Sequence, residues 1–222
     1  MFPVGRGISI LCLVAICAAI PGLAQNRENE VVKPRAQAVS AVTPIFGQLV
    51  MLSYPRGFKP AHENSTGSQY IQESVLEGES VEKWSQMITL TGVKGLAANP
   101  KATPQLLVQR IAGGFQRACP SSFAARGVGN LKISGYDAFA AVVGCGAVQS
   151  GAERSEVALL IAVKGFSDYY TIQWAERAAP SNEAPVLDDT KWSARFRQLN
   201  PIKLCDRVPN ERAPYPSCVN QR

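Results

Sequence analysis

The sequence predicts an α+β domain: a mainly antiparallel sheet of about six strands covered by two helices, in the order βββ-α-βββ-α. Three observations carry this. Apolar residues keep a strand-like pattern in two separate blocks, near 49–93 and 133–177. A stripe of helical period follows each block. The breaks inside a block are short and rich in Gly, Ser and Pro, and strands joined by short turns pair antiparallel.

In the first block, LVMLSY (49–54) is apolar and ends at the turn Pro55-Arg56-Gly57. SQYIQESVLEG (68–78) is half polar, which suits an edge or one wet face. EKWSQMITLTGV (82–93) alternates, placing Trp84, Gln86, Ile88 and Leu90 on one expected face. The first helix opens at Thr103-Pro104, a capping residue followed by proline at the first helical position. Leu107, Ile111, Phe115 and Cys119 then recur every fourth residue, with Val108 beside them, and Pro120 stops the helix. In the second block, ISGYDAFAAVVGCGAV (133–148) is expected to bend at Gly135 and run extended from Asp137. SEVALLIAVKG (155–165) is apolar on both parities, as a strand covered on both faces should be. YYTIQWAER (169–177) returns after a short loop, with Tyr170, Ile172 and Trp174 on one face. Asp188-Asp189-Thr190 can cap the second helix, whose stripe is Trp192, Phe196 and Leu199.

The ends of the chain read differently. Arg6 followed by the apolar run Ile8–Ile20, with Gly22-Leu23-Ala24 before Gln25, has the grammar of a secretory signal peptide over 1–24, cleaved near Ala24/Gln25. The run is shorter than the roughly 20 residues of a membrane span. No later segment is as long, so no transmembrane segment is expected in the mature chain. Cys17 could be lipidated, but Ile16 stands where the lipoprotein signal wants a small residue. The mature protein is expected to be periplasmic or secreted. Residues 25–43 are polar and read as a flexible leader, 44–200 as the single folded domain, and the proline-rich stretch 201–222 as an irregular tail.

The element order resembles the PsbP-like fold, the α/β/α sandwich of the photosystem II oxygen-evolving accessory proteins and their relatives. The features that carry the resemblance are LVMLSYPRGFKP, the meander through EKWSQMITLTGV, the helix at 104–119, the paired strands ALLIAVKGFSDYYTIQWAER and the closing helix. It covers about 44–200 and implies accessory, adaptor or binding roles. It brings no functional residue with it.

The chemistry on offer is sparse. One histidine is present, His62, in the polar loop KPAHENSTG, and a hydrolase of the Ser–His or Cys–His kind would have to use it. No zinc-ligand spacing, phosphate-binding glycine loop or nucleophile elbow occurs, so no metal or cofactor is expected. Gly127-Val128-Gly129-Asn130 is too short for a phosphate loop and no helix follows it. The net charge of +6 is scattered, whereas nucleic-acid binding wants a clustered basic face. Of six cysteines, Cys12 and Cys17 fall in the leader. The other four, Cys119, Cys145, Cys205 and Cys218, suit a disulfide framework in an exported chain. Among the three connectivities, Cys119–Cys145 joins helix stripe to sheet face, and Cys205–Cys218 closes the tail. The short tail loop contributes about 3 kcal/mol in the chain-entropy model. Trp84, Tyr170, Trp174 and Trp192 are candidates for lining a ligand groove between sheet and helix, although their spacing also fits a core. Three function classes follow. The leading one is an exported, non-catalytic accessory or binding protein with an envelope protein partner. The others are a small-ligand or lipid-binding module and a hydrolase using His62.

Overall fold

The structure, a computed structural model, describes residues 38–148 and 154–220. The signal-peptide reading over 1–24, the lipidation candidate Cys17 and residues 25–37 of the leader lie outside the described residues.

Ten strands and three α-helices occur among the described residues. In chain order the strands are β1 (Val39–Ile45), β2 (Gln48–Tyr54), β3 (Phe58–Ser65), β4 (Gln69–Leu76), β5 (Gln86–Val93), β6 (Phe123–Ile133), β7 (Tyr136–Cys145), β8 (Ser155–Lys164), β9 (Tyr169–Ala178) and β10 (Lys203–Asp206). The helices are α1 (Pro104–Ala118), α2 (Asp189–Gln198) and α3 (Pro216–Val219). All pairs are antiparallel, but the strands form two sheets. One holds seven strands in the order β3-β4-β5-β9-β8-β7-β6, the other three in the order β1-β2-β10.

The expectation of about six strands and two helices is therefore corrected, and each addition has a physical reason. β1 enters the sheet at Val39, opposite Tyr54, so the leader assigned to 25–43 ends inside a strand. The stretch KPAHENS, read as a polar loop, is most of β3, and its residues are exposed on both parities because it is an edge strand. β6 is the opposite edge, and its glycines hide any apolar period. The bend expected at Gly135 is a two-residue hairpin, with Ser134 at φ 50° and Gly135 at φ 83° between paired Ile133 and Tyr136. The tail, expected to be irregular, supplies β10, which takes its ladder from β2.

The large sheet is covered on both faces. On one face α1 lies over Val75, Met87, Ala141, Val143, Ala158 and Leu160, with Val108 fully buried and Leu107, Ile111 and Phe115 packed beside it. The Thr103 hydroxyl accepts the Leu106 amide at 3.1 Å and caps this helix. On the other face the small sheet and α2 meet Ile88, Leu90, Leu159, Ile161, Ile172 and Trp174. β2 is buried along its whole length, because its second face carries Leu49 and Met51 under Cys205, Cys218 and Tyr215. Both cysteine pairs are bonded: Cys119–Cys145 with Cα atoms 5.7 Å apart, and Cys205–Cys218 at 5.6 Å. The first ties the end of α1 to β7, the second ties α3 to β10.

Candidate binding groove

A groove of about 510 Å³ runs between the β6–β7 edge of the large sheet and α2. Its floor is Ala140, Val142 and Leu159, each almost completely buried. Its roof is Trp192, Ser193 and Phe196, and Arg197 stands at its mouth; all four share one side of α2 at helical spacing. Its outer rim is the β6 stretch from Arg126 to Leu131. The groove exists because small residues stand where large ones would have filled it. Ala138, Ala140 and Val142 alternate along β7 toward this face, and Gly129 brings no side chain to the rim. β6 also bulges between Gly127 and Gly129, which leaves Val128 without a partner on β7.

Helix α2 is anchored at its sides and ends. The Asp188 carboxylate accepts the amides of Thr190 (2.8 Å) and Lys191 (3.1 Å), as an N-cap should. Glu176 on β9 pairs with Arg195 at 2.6 Å and with Lys191 at 2.5 Å. Arg126 on β6 pairs with Asp189 and donates to the Leu187 carbonyl, so the first turn of the helix is tied across the groove to the sheet edge. Leu199 is fully buried at the far end. These contacts hold the roof up without filling the space beneath it.

The four aromatic candidates separate. Trp192 lines the groove. Tyr170 is buried under the small sheet, its hydroxyl donating to the Ile45 carbonyl at 3.3 Å. Trp174 donates to Gln86 at 3.2 Å, meets Phe58 edge-on at 5.4 Å and lies under the Arg195 guanidinium. Trp84 precedes β5 and packs with Met87 on the opposite face of the sheet, so it does not share a face with Ile88 and Leu90 as the alternation suggested. Arg177 stacks over it at 3.4 Å and pairs with Glu156, and burial lowers its affinity for its proton. Groove residues that the sequence reading did not bring together are Arg126, Val128, Asn130 and Arg197. The available signal was Gly127-Val128-Gly129, a glycine pair inside a strand, which marks a bulge.

His62 lies on β3 opposite Glu73, and its imidazole makes no hydrogen bond to a described residue. No group of three or more His, Cys, Asp or Glu side chains among the described residues could hold a metal ion. No described helix is long and apolar enough to cross a membrane.

No family model matches the chain, and the search of curated proteins returns no match. Solved structures do resemble it. LpqN of Mycobacterium tuberculosis, described as involved in cell envelope biogenesis, is 14% identical with a TM-score of 0.44, over 76% of this chain and 91% of that one. The Ran-binding protein Mog1p of Saccharomyces cerevisiae is 12% identical with a TM-score of 0.42, over 73% and 91%. CyanoP, the PsbP of Synechocystis sp. PCC 6803, is 11% identical with a TM-score of 0.40, over 74% and 89%. A PsbP protein is thus among the structures that this chain resembles, as the element order implied. Likenesses of this degree carry no function over to this chain.

Proposed function

We propose that this is an exported, non-catalytic binding protein that holds a small apolar or amphiphilic ligand in the groove between β6–β7 and α2. The observation that carries the reading is the groove itself, with an apolar floor, Trp192 and Phe196 above it, and a volume inside the roughly 300–1,000 Å³ of small-ligand sites. Export is supported by the leader grammar and by the two disulfides, which persist in oxidising compartments. A binding role suits the chemistry present, since among the described residues His62 has no hydrogen-bonded nucleophile of the kind a hydrolytic dyad needs. The test is a titration with the neutral apolar dye Nile red. Saturable binding that Ser193→Phe weakens is expected, because Ser193 is exposed on α2 and a ring there fills the groove without replacing a buried side chain. Equal binding by the variant sinks the reading.

An accessory role with an envelope protein partner is the second reading, and Phe166 favours it. This side chain is 84% exposed at the β8–β9 turn. The turn is held, with the Phe166 amide donating to Gln48 at 2.9 Å and the buried Asp168 carboxylate accepting the amides of Gly47 and Gly95. A fixed, exposed aromatic suits a protein contact. Phe166→Ser is then expected to lose a cross-linked envelope partner that Ser193→Phe keeps. Retention by both variants counts against it.

A further inference from the structure

The mouth of the groove has a chemistry that its interior lacks. Three charged side chains stand there: Arg126, Asp189 and Arg197. Arg126 and Asp189 neutralise each other, and Arg126 is further engaged by the Leu187 carbonyl. The Arg197 side chain is exposed in the last turn of α2 and has no hydrogen bond or ion pair with a described residue. The rim therefore carries one uncompensated positive charge, placed directly after Phe196 of the roof. Inside, the floor of Ala140, Val142 and Leu159 offers no side-chain donor or acceptor, and the uncharged polar side chains of the lining are Ser193 on the roof and Asn130 on the rim. A polyhydroxylated ligand would bury hydroxyls there without partners, at a cost that an alkyl chain avoids.

Resting on the ligand-binding reading, we propose that the groove takes a single-chain amphiphile with an anionic head. The chain lies over Ala140 and Val142 beneath Trp192 and Phe196. The carboxylate or phosphate of the head meets the Arg197 guanidinium, whose fork of N–H donors matches either group. Arg126 keeps its place on Asp189 and holds the roof in position.

Calorimetry on the full mature chain tests this with decanoate, decyl phosphate and neutral decanol, a hexanoate–octanoate–decanoate series, and inorganic phosphate alone. Affinity is expected to rise roughly fourfold per added methylene until the groove is full. Decanoate and decyl phosphate are expected to bind more tightly than decanol. Arg197→Glu is expected to weaken both anions roughly fivefold or more and to leave decanol unchanged. Both Arg197 and Ser193 are exposed, so neither variant disturbs the core, and circular dichroism checks that the fold is kept. Equal affinity for decanol and decanoate, with Arg197→Glu indifferent, overturns the anionic head while the ligand-binding reading stands. Inorganic phosphate binding as tightly as decyl phosphate overturns the amphiphile. Binding of no amphiphile at all overturns both.

Discussion

At Gly146 a single methyl group decides whether the end of β7 can lie against the segment 181–187. A Cβ there would collide with the carbonyl oxygens of Ser181 and Glu183, and neither can swing away because both are backbone. The same glycine donates its amide to Ser122 at 3.0 Å and accepts the Ser181 amide at 2.9 Å. Gly146→Ala is expected to cost about 2 kcal/mol and to lower the thermal midpoint. Gly67→Ala, with nothing within 4 Å of its Cβ, is the control expected to leave it unchanged. Gly146 thus admits the backbone of 181–183 and Gly144 the Pro185 ring, while the cysteine between them holds α1. Buried phenols set a second residue-scale property. Burial pushes Tyr54 and Tyr169 up to about 12 and raises Tyr70 and Tyr170 as well. An unfolded phenol titrates near pH ~10. The folded state therefore holds these protons more tightly, so its stability is full below pH ~10 and falls as pH rises toward the folded values. Tyr54 alone contributes a slope of about 1.4 kcal/mol per pH unit in that window. Urea midpoints measured from pH 8 upward should be flat and then fall steeply, and a flat profile throughout would contradict the burial.

Element by element, legibility followed burial. β8 and β9 are recognisable because both lie inside the large sheet, where apolar side chains are obligatory. α1 and α2 are recognisable from Thr103 and Asp188, whose capping oxygens do what their positions suggest. β3 and β6 are not, since edge strands need no apolar alternation, and Pro60 and the Gly127–Gly129 bulge belong to edges that resist further pairing. β10 is four residues long and borrows its order from β2, so local sequence carries little trace of it. The groove was legible only through Trp192. Its existence depends on β7 presenting Ala140 and Val142 to α2, a matter of register between elements far apart in sequence. α2 is also the element whose loss would remove the site. Asp188→Ala is expected to cost about 1 kcal/mol of stability and, by removing their acceptor, to raise amide exchange at Thr190 and Lys191 first. Uniform loss across α1 and α2 would contradict that local role.

On the scale of the molecule, the two sheets and three helices of the described residues are stacked so that each of the two disulfides among them fastens an outer element to a strand: α1 to β7, and α3 to β10. Peptide mapping without reduction should return Cys119 linked to Cys145 and Cys205 linked to Cys218. A 119–205 or 145–218 peptide would contradict this arrangement. The stacking leaves the region between β6–β7 and α2 open, and the three tryptophans report on it selectively. Trp192 lines the groove, Trp174 is sealed against Gln86 and Phe58, and Trp84 lies on the far side of the sheet. The most direct measurement is the set of indole N–H signals in a ¹⁵N–¹H spectrum during titration with decanol. The Trp192 signal should move in a saturable way while those of Trp84 and Trp174 stay in place. A titration in which Trp192 stays still, or in which Trp84 moves with it, would contradict a ligand held between β6–β7 and α2.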